Sequence, residues 1–157
     1  MPYTAVLPSP LGPLALCCDD TGLTALRFAA PDTPPCPPEH PLLREASRWL
    51  DVYWSGRNPG ALPPLHLSGT PFQQEVWALL LALPYGHTCT YGALAAQLAA
   101  RRGLARMSAQ AVGGAVGRNP VAILVPCHRV LGAGGALTGY AYGLERKRFL
   151  LELEGKE

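Results

Sequence analysis

The 157-residue sequence has no acidic side chain between Glu75 and Glu145, and only three of its 17 prolines lie beyond Pro71. The acid-free stretch still carries Arg101, Arg102, Arg106, Arg118 and Arg129, so it offers a polyanion attraction without local repulsion. Residues 1–69 hold four Arg against six Asp and Glu, net −2, whereas residues 70–157 hold nine Lys and Arg against five, net +4. No apolar run approaches a membrane span, and the start MPYTAVLPSPLG lacks the charged opening and long apolar core of a secretion signal. A soluble cytoplasmic chain with no membrane partner is expected. The five cysteines (17, 18, 36, 89 and 127) are odd in number and follow no framework spacing, which argues for free thiols in a reducing compartment. There is no C-x-x-C pair. Cys17 and Cys18 with Cys36 and His40 come nearest to a zinc set, and no metal is expected. The glycines after Val130 do not follow a strand into a helix at dinucleotide-binding spacing, and no cofactor is expected.

What is present divides where the prolines stop. YTAVLPSPLGPLALCCDDTGLTALRFAA holds short strand-like runs broken by Gly, Pro and Asp pairs, the pattern of an antiparallel meander. A Pro-rich loop follows, then an amphipathic helix near Leu42 to Trp54, then the connection GRNPGALPPLHLSG. The second part opens with Thr70 as helix N-cap and Pro71 at the first helical position, the helix ending before Pro84. Thr90 and Ser108 can cap two further short helices joined by a turn, the layout of a helix-turn-helix. The second of these, AQAVGGAVG, carries two interior glycines that each cost roughly 1 kcal/mol against alanine. Close approach to another surface, or close helix packing, would compensate. VAILVP is expected as a short buried strand, VLGAGGALTGYAYG as loop or hairpin, and LERKRFLLELEG as a closing helix with Phe149, Leu150 and Leu153 on one face. The fold class expected is α/β of the α+β kind. A small antiparallel-sheet domain (residues 1–68) precedes a mainly helical domain (residues 69–157).

The chemistry concentrates at Cys127 and His128. A cysteine attacks as thiolate, and its ordinary pKa of about 8.5 leaves a few per cent ionised at neutral pH, so it needs a base or a positive neighbour. Adjacent side chains on a strand point to opposite faces, so the pair can cooperate only if the chain turns at Pro126-Cys127 or a water bridges them. The histidine in turn needs a group to fix its tautomer, and Glu154 is a candidate. An inert buried cysteine is the plain alternative.

NPVAILVPCHRVLG resembles the active-site signature of the O6-alkylguanine-DNA alkyltransferases, the methylated-DNA–protein-cysteine methyltransferases. The likeness extends through FQQEVW, YGALAA, AVGGAVGRNP and GYAYGLERKRFLLELE in the family's order, over nearly all of residues 70–157. It implies a monomer that binds double-stranded DNA through the minor groove and flips the damaged guanine into a pocket. The alkyl group then passes irreversibly to the protein's own cysteine, with O4-alkylthymine a second candidate substrate. It further implies a ribonuclease-H-like structural domain over residues 1–68. Carried over by position, Cys127 is the acceptor, His128 its base through a water, Glu154 the orienting carboxylate and Asn119 the brace of the active-site turn. Tyr140 donates to a guanine ring nitrogen, the backbone of Val130 and Ala141 holds the guanine edge, and Tyr91 rotates the target phosphate. Gln110, Ala111, Gly113 and Arg129 belong to the DNA-binding set, with Arg106 or Arg118 as phosphate contact.

The sequence departs from the family pattern in places. Gln110 stands where many members carry the arginine that fills the gap left by the flipped base, the turn RRGLARMSAQ is longer, and Tyr142 replaces a small residue. Two rival readings are a lesion sensor that binds without repairing, whose relatives usually carry tryptophan at the cysteine position, and a Cys-His-Glu thiol hydrolase. Cys127 opposes the first, and steady turnover without DNA would mark the second.

Overall fold

The structure, a computed structural model, describes residues 2–155. They fall into two compact units. The first comprises residues 2–68 together with 120–124 and 153–155; the second comprises 69–119 and 125–152.

In the first unit, β1 (Tyr3–Leu7), β2 (Leu14–Cys18) and β3 (Leu23–Phe28) form an antiparallel sheet in the order β1-β2-β3. Local turn chemistry makes the meander. The Ser9 hydroxyl accepts from the Leu11 amide (3.1 Å) and donates to the Gly12 carbonyl (2.6 Å), and Gly12 takes the positive φ of 100° that the turn requires. Asp19 closes the second turn by accepting from the amides of Thr21 (2.8 Å) and Gly22 (3.0 Å). Along β2 burial alternates, with Leu14, Leu16 and Cys18 inside, because successive side chains point to opposite faces. Both sheet edges are covered. Cys36 exchanges main-chain bonds with Val6 on one side, and Leu65 and Val121 bridge to Leu23 and Leu26 on the other. Helix α1 (Pro41–Trp54) begins on His40, whose Nδ1 accepts from the Leu42 amide, and packs Leu43, Ala46, Leu50 and Tyr53 against β1 and β2. Truncating one such leucine to alanine costs about 2–5 kcal/mol.

The run Val121–Val125 is not the expected strand. Val121 makes a single bridge to Leu26 and the chain then turns, with Leu124 N–H donating to the Ala122 carbonyl (2.8 Å) and Ile123 at φ 72°. An unbroken apolar run states burial without stating conformation. Here tight turns satisfy the buried backbone where a ladder would have done so.

The second unit packs α2 (Pro71–Leu81), α3 (Tyr91–Arg101) and α4 (Ala109–Gly117) against one another. Each starts on the residue its sequence predicts. Thr70 and Gln73 form a reciprocal capping box, Thr90 accepts from the Ala93 amide (3.0 Å) and Ser108 from the Ala111 amide (3.1 Å). Gly103, at φ 66°, ends α3 and releases the chain into the turn before α4. Trp77 of α2 donates from its indole to the Ala115 carbonyl of α4 (2.9 Å), and Arg102 pairs with Glu75 (2.8 Å). A two-residue parallel pair, β4 (Cys89–Thr90) and β5 (Val130–Leu131), and helix α5 (Leu144–Gly155) complete the chain's elements.

Candidate active site

Cys127 opens a single turn of 3₁₀ helix, Cys127–Arg129, directly after Pro126. The chain therefore does turn at Pro126-Cys127, and the two neighbouring side chains escape the opposite-face geometry of a strand. The Cys127 amide bends back to the Val125 carbonyl (2.8 Å), and the Asn119 side-chain amide donates to that same carbonyl (2.7 Å). Asn119 thus braces the turn from the end of α4. Cys127 is 7 % exposed and His128 fully buried. Burial pushes the Cys127 thiol above its ordinary value; opposing it are the Asn119 hydrogen bond, the Lys147 charge and two main-chain amides.

Arg129 departs from expectation. It is buried, its guanidinium donates to the Leu83 carbonyl (2.8 Å) and lies over the Tyr85 ring, so it braces the turn from inside and is not offered to DNA at the surface.

The thiol lines a cavity of about 220 Å³, walled on one side by Tyr91, Gly113 and Asn119 and on the other by Gly139, Tyr140, Ala141 and Tyr142. Drug-sized pockets begin at about 300 Å³, so this one suits a single nucleobase better than a larger ligand. Tyr140 and Tyr142 meet edge to face, ring centres 5.7 Å apart. The Tyr140 hydroxyl is buried with no hydrogen-bond partner among the described residues. Burial, then the neighbouring Cys127, raises its pKa far beyond the ordinary phenol value, so it stays protonated and remains a donor. A buried unmet donor costs about 1–3 kcal/mol, which a folded chain tolerates chiefly where a ligand's acceptor relieves it. Tyr91, its pKa raised by burial, donates to the Gly139 carbonyl (3.2 Å) and so helps hold the opposite wall.

One buried group escaped sequence reasoning. Lys147 on α5 is fully buried, and its ammonium donates to the carbonyls of Val130 (2.5 Å), Thr138 (2.7 Å) and Gly139 (3.1 Å). The signal is faint: a lysine at the fourth position of a charged helix reads as solvated. Its cage also involves Val130, whose amide donates to the Cys127 carbonyl and whose carbonyl takes the Lys147 ammonium. Ala141, expected beside it, does line the cavity.

Gln110, Ala111, Arg106 and Arg118 are all exposed, on α4 or at its two ends. A side chain added at Gly114 or Gly117 would meet nothing within 4 Å, and one at Gly113 only the Tyr91 ring at 3.8 Å. Packing inside the chain therefore does not explain Gly114, whereas Gly113 and Gly117 border the thiol's cavity, and an open small-residue face remains. Glu154 lies in the first unit, where the buried Tyr53 hydroxyl donates to its Oε2 (2.7 Å). No three His, Cys, Asp or Glu side chains converge as a metal site among the described residues; His40 caps α1 and contacts Asp20. No helix of the described residues is long and apolar enough to cross a membrane.

Fold and site define an α+β chain in which a buried nucleophilic thiol sits beside a helix-turn-helix pair. The profile of the 6-O-methylguanine DNA methyltransferase ribonuclease-like domain matches residues 3–63, and that of the DNA binding domain of the same proteins matches residues 71–156. A methylated-DNA–protein-cysteine methyltransferase of Methanosarcina acetivorans is 43 % identical over 160 residues, covering 98 % of both chains. Another, of Mycobacterium leprae, is 46 % identical over 150 residues, covering 93 % of this chain and 88 % of its own. Among solved structures, Mycobacterium tuberculosis OGT in complex with DNA matches with a TM-score of 0.82 at 43 % identity, over 96 % of this chain and 91 % of that one. The chain belongs to the 6-O-methylguanine DNA methyltransferase family.

Proposed function

We propose that this protein repairs DNA by direct reversal, moving the methyl group of O6-methylguanine onto Cys127 in a single turnover. The observation that carries the reading is the pairing, in one base-sized cavity, of a buried thiol with a buried phenol that lacks an acceptor. The thiolate sulfur attacks the methyl carbon and the carbon–oxygen bond breaks, its electron pair passing into the guanine. Tyr140 donates to the ring nitrogen that accumulates that charge, and stabilisation there falls on the transition state more than on the substrate. The guanine anion takes up one proton, in place of the one the thiol gave up, so that a thioether and an unmodified guanine result. The thioether offers no leaving group, so the protein is consumed. His128 acts as the base and Glu154 as its orienting carboxylate, both carried over from the family by position.

DNA meets the exposed face of α4, where Gly114 and Gly117 permit close backbone approach and Arg106 and Arg118 reach phosphates. Tyr91 turns the target phosphate, and Gln110 hydrogen-bonds the orphaned cytosine. Minor-groove binding suits the small side chains of this helix, because a narrow groove admits them without base-edge readers. A cytoplasmic monomer is the form proposed, supported by five free cysteines in keeping with a reducing compartment. Mixing the protein with a duplex carrying one O6-methylguanine tests the reading: one methyl on the Cys127 peptide, without turnover, is expected. Lesion binding with no mass gain would instead mark a sensor.

A further inference from the structure

Lys147 has no carboxylate partner in the contacts that define its cage; three main-chain carbonyls surround its ammonium. Two of them, Thr138 and Gly139, belong to the segment that forms the Tyr140 wall of the cavity, and the third, Val130, follows the Cys127 turn. Tyr91 joins the same cluster, its ring beneath the ammonium (5.8 Å) and its hydroxyl on the Gly139 carbonyl (3.2 Å). We propose that Lys147 is a positioning residue for methyl transfer: its ammonium staples the Thr138–Gly139 wall to Val130 and supplies the fixed positive charge against which the Cys127 thiolate forms. The inference rests on the alkyl-acceptor role given to Cys127 above.

Burial alone opposes both charges. It holds the thiol pKa up and the lysine pKa down, and each is drawn back toward its charged form by the other. Among the described residues the titratable groups around the thiol are His128, Tyr91, Tyr140, Tyr142 and Lys147, with Cys89 beyond Tyr91 and Arg146 beyond Tyr140. Arg129 is committed to Leu83 and Tyr85. Lysine serves better than arginine here, because a compact ammonium with three donors matches three convergent carbonyls.

The test follows two reactions in the full chain across pH: Cys127 with iodoacetamide, read from the Cys127 peptide, and methyl transfer from an O6-methylguanine duplex. In Lys147→Met the iodoacetamide profile is expected to move up by about one pH unit, slowing the reaction about tenfold at neutral pH. Lys147→Arg is expected to keep the thiol profile while slowing methyl transfer about tenfold, because the planar fork cannot reproduce the staple. A folded Lys147→Met with an unmoved profile overturns the proposal. If that variant does not fold, Lys147→Arg decides, and full-speed transfer or a lost profile in it overturns the proposal. Failure of both to fold makes Lys147 a residue of the core alone, which also overturns it. Wild-type protein that takes no methyl from the duplex defeats the repair reading and leaves the iodoacetamide comparison standing.

Discussion

The two units handle polar groups in opposite ways. In the first, polar side chains close the structure on itself: Asp19 ties a turn and meets His66, His40 caps a helix, and the buried Tyr53 hydroxyl finds Glu154. In the second, Asn119, His128, Arg129 and Lys147 are buried around a single thiol, and the Tyr140 hydroxyl remains unmet. Satisfied polar groups report stability, whereas a deliberate shortfall beside a cavity reports a ligand still to come. The contrast locates the ligand cavity and its thiol in the second unit.

The sharpest way to break the contrast is Cys127→Ala. Methyl transfer is expected to vanish from intact-mass spectra while lesion-duplex binding, measured by fluorescence anisotropy, persists. Residual transfer would place the acceptor elsewhere. Next comes the same substitution made in each unit. Tyr140→Phe removes a donor needed in the transition state and is expected to slow single-turnover transfer about 10²-fold, with thermal stability held or raised. Tyr53→Phe leaves a buried carboxyl oxygen short of its donor and is expected to lower stability by about 1–3 kcal/mol in denaturant melts. Equal stability losses in the two variants would erase the distinction drawn here.

Two smaller effects refine it. Gln110→Arg adds a cation to the exposed start of α4, and the slope of log affinity against log salt is expected to steepen by about 0.9 for one new phosphate contact. An unchanged slope would move DNA away from that helix. On the first unit, the His66 hydrogen bond holds the Asp19 carboxyl below the usual aspartate range. A lowered carboxylate stabilises the fold above its ordinary pKa, about 3.9, and loses that contribution as pH falls. Asp19→Asn is accordingly expected to flatten acid unfolding slightly and leave transfer unchanged. The methyl-transfer rate of the wild type should itself climb with pH to beyond the ordinary thiol range, because burial raises the Cys127 pKa.

Local chemistry was legible in the sequence. Thr70, Thr90 and Ser108 start their helices because an N-cap needs only its own side chain and an amide two or three residues on. The meander, the α+β class and the Cys127–His128 pair were visible for the same reason: turn residues and a contiguous motif carry their own geometry. What escaped depends on partners far along the chain. Arg129 turns inward toward Leu83 and Tyr85, and Lys147 is caged by carbonyls that leave no trace in side-chain patterning. The apolar run Val121–Val125 predicts a strand because hydrophobicity specifies burial and not conformation, and it makes one bridge to the edge of β3, at Leu26.

That edge has a consequence for dissecting the gene. The outer side of β3 is finished by Pro120 and Ala122, whose main-chain groups bond Leu26 at 2.9 and 3.0 Å. A fragment beginning at Gly69 would keep Cys127 and every cavity residue, yet lose the strand on which Val121–Leu124 rest, four residues no more than 3 % exposed in the whole chain. Freed, they form an apolar knot just upstream of a reactive thiol, the kind of segment that seeds aggregation. Truncation within residues 56–69 is thus expected to cost recoverable repair capacity although every cavity residue is retained.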